Sequence, residues 1–150
     1  MNIEVRPAQA KDLAAVLSLL AESGLPQDGL SEHLRSTLVA TDNGQIVGSA
    51  ALELYPDGAL LRSVAVAPPV RGSGLGHRLT DAATSLARQL GVPAVFLLTT
   101  TAEDFFPRFG FHRIRRDAVP SSIRESVEFT TACPSTAIVM MKTLATRGQS

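Results

Sequence analysis

The thirteen residues from Val64 to Gly76, Val-Ala-Val-Ala-Pro-Pro-Val-Arg-Gly-Ser-Gly-Leu-Gly, restrict the fold of this chain more than any other stretch. They read as an apolar strand, a proline stop, one basic residue and three alternating glycines that open into a helix. Glycines leave the backbone N–H groups uncovered, and a helix N-terminus already concentrates positive partial charge there. Arg71 adds a full charge and a planar fork of donors. The spacing predicts an anion cradle formed by Arg71, Gly72, Ser73, Gly74, Leu75 and Gly76. A nucleotide-hydrolysing loop needs Lys followed by Ser or Thr after its last glycine, and here His77 and Arg78 follow instead. A dinucleotide fingerprint spaces its glycines G-x-G-x-x-G near the first strand, and this run is G-x-G-x-G in mid-chain. A plain glycine turn without a ligand is the other reading of the glycines alone.

The rest of the chain predicts one α/β domain over 1–150, with a frayed tail over 145–150. At 150 residues, 45% hydrophobic and 19% charged, it is large enough to bury a core. Strands are expected at 3–6, 37–40, 45–55, 59–66, 94–100, 111–114 and 136–141. Asp42-Asn43-Gly44 signals a hairpin turn. The apolar stripe Leu13, Val16, Leu17, Leu20 marks a helix over 11–23. The positions Leu75, Leu79, Ala82, Ala83, Leu86 and Leu90 mark a longer one over 74–90. Shorter helices are expected over 29–35, 104–109 and 121–130. Lys plus Arg and Asp plus Glu each number 14, so no basic excess points to nucleic acid. The absence of a long apolar run and of an N-terminal apolar signal core, and the single Cys133, lead us to expect a cytoplasmic protein that does not span a membrane. No His, Cys, Asp and Glu pattern has metal-ligand spacing.

Two motifs carry a family resemblance. The first, V-x-V-x-P, two residues, then R/Q-x-x-G-x-G/A, is met by Val64, Val66, Pro68, Arg71, Gly74 and Gly76. The second runs N-x-x-A, two residues, an aromatic pair and G-F. Ala102, Phe105, Phe106, Gly110 and Phe111 agree with it, while Thr99 stands where asparagine is common. The chain resembles the GNAT N-acetyltransferases. The resemblance implies a mixed, mostly antiparallel sheet splayed at its central strands and flanked by helices. It implies acetyl-CoA as co-substrate, with Val64, Ala65 and Val66 along the pantetheine arm and Thr99, Phe105 and Phe106 beside it. It also implies the possibility of a homodimer.

Attack of an amine on a thioester needs a held thioester, a proton acceptor, an oxyanion donor and a leaving thiolate. A strand N–H among Val64–Val66 is a candidate oxyanion donor. Many relatives carry a tyrosine that protonates the sulfur; its place here is Phe106, which has no proton to give. Glu53 is the candidate base, a solvated edge charge being its other reading. Alternation places Arg62 on the face of Val64 and Val66, either to clamp a substrate carboxylate or to pair with a carboxylate such as Glu53. Arg124 and Ser135 are further candidates for substrate contact if their C-terminal stretch, 123–135, closes over the substrate; a solvated helix face is its other reading. His33, His77 and His112 read as surface residues, and Tyr55 as an interface aromatic.

Within the family, the run Leu60-Leu61-Arg62-Ser63-Val64-Ala65-Val66, together with Val119-Pro120 and Glu128-Phe129 to Cys133-Pro134, resembles the short arsenic-resistance N-acetyltransferases. That resemblance implies a small anionic amino acid such as arsinothricin or phosphinothricin, acetylated on its α-amino group. A general glutamate-type amino-acid N-acetyltransferase and a non-catalytic CoA-binding sensor are the alternatives.

Overall fold

The structure, a computed structural model, describes residues 2–132 and 136–144. The seven strands are β1 (Ile3–Pro7), β2 (Thr37–Asp42), β3 (Gln45–Tyr55), β4 (Gly58–Val66), β5 (Ala94–Thr99), β6 (His112–Ile114) and β7 (Ile138–Thr143). They form one sheet in the order β1-β2-β3-β4-β5-β7-β6. Every neighbouring pair is antiparallel except β4 and β5, so the expected mixed, mostly antiparallel sheet is present. The α-helices among the described residues are α1 (Leu13–Glu22), α2 (Leu75–Gln89) and the short α3 (Ser121–Arg124).

Strand alternation sends adjacent residues to opposite layers. On one face, Leu38, Ala50, Leu52, Leu61 and Leu97 pack with Leu75, Leu79 and Ala83 of α2. On the other, Val39 and Ala51 pack with Val16, Leu19 and Leu20 of α1, and Leu60 and Phe96 pack with Ile123 of α3. The hairpin between β2 and β3 turns as the sequence predicts. Asp42 pairs with Gln45, and Asn43 and Gly44 both take positive φ, 51° and 83°, as a two-residue hairpin with the native twist requires.

The structure departs from the sequence expectations in three places. The stretch 29–35 is a 3-10 segment, Leu30–Ser36, kinked at His33. The helix expected over 104–109 shortens to a 3-10 turn, Phe106–Phe109, because Pro107 and the left-handed Gly110 leave room for only one turn. The single helix expected over 121–130 is broken: α3 ends at Arg124 and a π-helical turn, Glu128–Ala132, follows. Side chains there bind the sheet rather than the helix backbone. The tail over 145–150 lies outside the described residues.

The N-terminal end of α1 carries a pH-sensitive anchor. Asp12 is buried and takes Nη1 and Nη2 of Arg6 at 2.8 and 3.1 Å and the backbone N–H of Gln9 at 2.7 Å. The Arg6 hydrogen bonds, opposed by burial and helped by the Gln9 N–H, hold its carboxyl down to about 2. A depressed carboxyl contributes stability that is present above its unfolded pKa, near 4, and is lost as pH falls through its folded value. The melting temperature of the wild type will therefore exceed that of Asp12→Asn at pH 6, and the gap will close between about pH 4 and pH 2. A gap that stays constant over that interval would refute the anchor.

Candidate active site

β4 and β5 pair only at Ala59↔Val95, Leu60↔Phe96 and Leu61↔Leu97. Beyond Leu61 the strands part, and the parting opens a cleft of about 690 Å³. The cause is a bulge in β4. Ala51 faces Arg62 and Ser49 faces Ala65, so Ser63 and Val64 together stand against Ala50. Ser63 adopts φ 60°, a conformation a non-glycine residue holds only when its surroundings impose it. Ser49 Oγ donates to the Ser63 carbonyl at 2.7 Å and Arg62 Nε donates to Ser63 Oγ at 3.1 Å, which together pin the bulge. The extra residue also shifts the alternation. Val64 and Val66 pack with Leu61 on the α2 face, whereas Ala65 joins the α1 face. The expectation that Arg62 shares a face with Val64 and Val66 is therefore wrong: one inserted residue separates them.

Val64, Ala65 and Val66 line the cleft, with the edge that faces β5 unpaired. Leu97, Thr99, Ala102 and Phe106 form the opposite wall. Thr99 uses its hydroxyl to accept the Ala102 N–H at 2.9 Å, so it shapes the turn after β5. Phe106 is buried and offers no hydroxyl, so it cannot itself protonate a departing sulfur. Phe105 stands behind it, edge-on at 5.1 Å between ring centroids, and within 3.7 Å of where a Cβ on Gly76 would sit.

At the cleft mouth the glycine run behaves as its spacing predicts. Gly72 and Gly74 take φ 82° and 84°, and nothing lies within 4 Å of where their Cβ atoms would be. The N–H groups of Gly72, Gly74, Leu75, Gly76 and His77 have no backbone acceptor among the described residues, and the first bond of α2 is Arg78 N–H to the Gly74 carbonyl at 3.1 Å. The side chain of Leu75 is buried in the core, so that residue contributes only its N–H. Ser73 turns its hydroxyl back to the Val70 carbonyl at 2.5 Å. Arg71 lines the same cleft and donates Nε to the Val66 carbonyl at 3.0 Å. Open donors, a helix mouth and one guanidinium fit a diphosphate.

The inner end of the cleft is ionic. The Arg62 side chain is fully buried and Glu53 is 1% exposed. Arg62 Nη1 donates to Glu53 Oε2 at 2.8 Å and to the Asp28 carbonyl at 2.7 Å, and Nη2 donates to the Pro26 carbonyl at 3.3 Å. Glu53 Oε1 accepts from Ser126 Oγ and Tyr55 Oη, both at 2.5 Å. Burial pushes the Glu53 carboxyl up, but the hydrogen bonds from Ser126, Tyr55 and Arg62 outweigh it and hold it below the usual range. Burial and the bond to Glu53 push the Tyr55 phenol up to about 12, so Tyr55 is a neutral donor at physiological pH. Glu128 Oε2 lies 3.8 Å from Arg62 Nη2, and both residues line the cleft.

The GNAT acetyltransferase family pattern matches residues 33–113, more than half of the chain, and those residues carry the cradle, the bulge and most of the cleft lining. This chain belongs to the GNAT acetyltransferases. It is 34% identical over 122 residues to an uncharacterised N-acetyltransferase of Chlorobaculum tepidum, covering 78% of this chain and 76% of that one. It is 40% identical over 81 residues to an amino-acid acetyltransferase of Mycobacterium tuberculosis, covering 53% of this chain and 46% of that enzyme. Among solved structures, Mycobacterium tuberculosis Rv2747 in complex with CoA and NLQ superposes with a TM-score of 0.81 at 27% identity, over 95% of this chain and 99% of that one. The N-acetylglutamate synthase of Neisseria gonorrhoeae, complexed with coenzyme A and N-acetyl-glutamate, shares the fold with a TM-score of 0.82 at 23% identity. This chain covers 97% of itself but 36% of that synthase, so it spans under half the length of both the mycobacterial enzyme and the gonococcal synthase.

As a GNAT acetyltransferase the protein uses acetyl-CoA, which supplies the acetyl group as a thioester when bound. The cradle suits the diphosphate, and the unpaired edge of Val64–Val66 suits the pantetheine amides. The structure gathers Arg62, Val64, Ala65, Val66, Arg71, Thr99 and Phe106 around one cleft. It does not bring Arg124 there: that residue is exposed and lines a separate groove with Arg116, Asp117 and Phe129. Ser135 lies outside the described residues. Glu53 sits behind Arg62 and is absent from the cleft wall. Tyr55, read as an interface aromatic, instead anchors Glu53, and His33 is drawn inward, its Nε2 3.9 Å from Glu53 Oε1. His77 and His112 are exposed, as expected. Ser126 and the carbonyls of Pro26 and Asp28 joined the site unannounced, and Glu128, quoted above only for the family resemblance, had been given no role in it. No group of three His, Cys, Asp or Glu residues that could hold a metal occurs among the described residues, and none of their helices is long and apolar enough to cross a membrane.

Proposed function

We propose that this enzyme transfers the acetyl group of acetyl-CoA to the α-amino group of a small amino acid. The observation that carries this reading is Arg62, a cleft-lining guanidinium at the inner end whose Nη2 lies 3.3 Å from the Pro26 carbonyl and 3.8 Å from Glu128 Oε2. Such a group can receive the carboxylate of an amino acid while its amine points toward the thioester. The likeness to the mycobacterial amino-acid acetyltransferase supports the same class. Glu53, the base expected from the sequence, serves in this reading as a positioning residue that keeps Arg62 and Ser126 in place, because its oxygens already accept three hydrogen bonds.

The narrower reading, an arsinothricin-like or phosphinothricin-like substrate, calls for a second cation near the acceptor. Among the described residues the cleft is lined by two cations, Arg62 and Arg71, and Arg71 stands at the diphosphate end. A substrate whose one anionic group is its carboxylate thus suits this cleft better than glutamate, arsinothricin or phosphinothricin, each of which carries a second anion. Release of the coenzyme thiol, followed with neutral amino acids, glutamate, arsinothricin, phosphinothricin and amines lacking a carboxylate, tests both readings. Turnover is expected with amino acids and not with simple amines. Equal rates for the two would overturn the amino-acid reading, and no turnover at all would favour the CoA-binding sensor. The homodimer implied by the family belongs to this proposal too, and sedimentation velocity of the full chain would reveal it.

A further inference from the structure

Beside the glycine cradle lies an aromatic patch that the acetyl transfer itself leaves unused. Phe105, Phe106 and Phe109 come from the turn after β5, which Pro107 and Gly110 hold to one 3-10 turn. Phe105 reaches the mouth of α2. Its Cζ lies 3.7 Å from where a Cβ on Gly76 would sit, and its ring packs on Phe109 at 5.1 Å between centroids. Arg108 folds back over the same ring, its Cζ 5.0 Å from the ring centroid. Attraction to the ring holds the charge in place without using its N–H donors. Arg108 is exposed and makes no hydrogen bond or ion pair among the described residues. We infer that Arg108 recognises the 3′-phosphate of coenzyme A.

The inference rests on the cradle as the diphosphate site and extends that site by one phosphate. CoA joins its pantetheine arm to its adenosine through the diphosphate, and the ribose of that adenosine carries a phosphate monoester on its 3′ oxygen. With the arm directed inward along Val64–Val66, the adenosine is left outside, against the surface that borders the cradle. Phe105 and Arg108 form that border on the side of the turn after β5. A phosphate monoester carries close to two negative charges near neutral pH, and a guanidinium fork pairs with it through parallel N–H bonds. The other cations around the mouth are less well placed. Arg71 gives its Nε to the Val66 carbonyl and lines the cleft. His77 packs on Phe109 at 4.7 Å and puts its Nε2 3.1 Å from Asp81 Oδ2. Arg78 stands two residues after Gly76, about 200° around α2, so it leaves the helix on the side away from Phe105. The acids of the turn itself, Glu103 and Asp104, are exposed and form no ion pair among the described residues, so neither neutralises Arg108 by direct contact.

The test compares CoA with dephospho-CoA, which lacks only that phosphate, by titration calorimetry on the full chain. The wild type should bind CoA about tenfold more tightly than dephospho-CoA, the lower end for hydrogen bonds to a charged group because the site is open to solvent. Arg108→Gln should bind CoA about tenfold more weakly and dephospho-CoA within about twofold of the wild type, so that the preference disappears. Arg108→Lys, which keeps the charge and loses the fork, should retain part of the preference, and added salt should shrink the wild-type preference. A wild type that binds both ligands alike, or an Arg108→Gln variant that keeps the wild-type preference, overturns the inference. Equal weakening of both ligands overturns it too, since Arg108 would then act only by bracing Phe105 against Gly76. Failure of the cradle reading looks different: Gly74→Val would leave both ligands bound as tightly as before.

Discussion

Replacing Glu53 with alanine will destabilise this acetyltransferase by about 3–5 kcal/mol, the usual consequence of removing one partner from a buried ion pair. The Arg62 side chain is fully buried, and without Glu53 its charge is left to the Ser63 hydroxyl, the Pro26 and Asp28 carbonyls and the more distant Glu128 carboxylate. Ser126 and Tyr55 lose their acceptor at the same time. In a domain of this size that loss lowers the melting temperature by roughly 6–20 °C. Calorimetric or circular-dichroism melts would measure it. Glu53→Gln keeps the shape and should recover part of the loss, because the amide oxygen still accepts one of the hydrogen bonds. A Glu53→Ala shift below about 2 °C would mean that Arg62 swings out to water, and the inner end of the cleft could not then be the rigid hydrogen-bonded ion pair described above.

The second large effect is on coenzyme binding. Gly74→Val will weaken CoA by about a hundredfold or more. Gly74 caps α2 at φ 84°, where a side chain with a Cβ costs about 1–2 kcal/mol and a β-branched one is a marked outlier. The loop relieves that strain by moving, and the N–H groups of Gly74, Leu75 and Gly76 then miss the diphosphate. Hydrogen bonds to a charged group contribute roughly 1.5–3 kcal/mol each, so losing one or two accounts for the factor. Nothing lies within 4 Å of the new Cβ, so the fold should survive. Titration calorimetry with CoA is the measurement, and affinity within twofold of wild type would exclude the cradle as the diphosphate site.

How much of this was legible without coordinates varies by element. The anion cradle was, because its function depends on backbone N–H groups and on glycine conformations that the sequence spells out locally. The strands from Thr37 to Val66 were, because β-hairpins fold on neighbours in the chain and their alternation is visible. The C-terminal stretch was not. Ile123, Val127 and Thr130 mimic helical spacing, yet Ser126 and Glu128 find partners on β3 and β4, and those long-range hydrogen bonds break the helix. Arg62 was singled out for the right reason, a charge inside an apolar strand, but was placed on the wrong face. A single bulge at Ser63 reverses the alternation after it, and nothing in the local sequence marks a serine that will take a positive φ.

The sequence alone determined the family, the mostly antiparallel α/β sheet and the coenzyme end of the site, since each depends on contiguous residues and short-range geometry. Only the tertiary structure decided the acceptor end. There Glu53, Arg62, Ser126 and Glu128 meet from three separated segments, and low-dielectric burial makes each one's charge or hydrogen bond depend on the others.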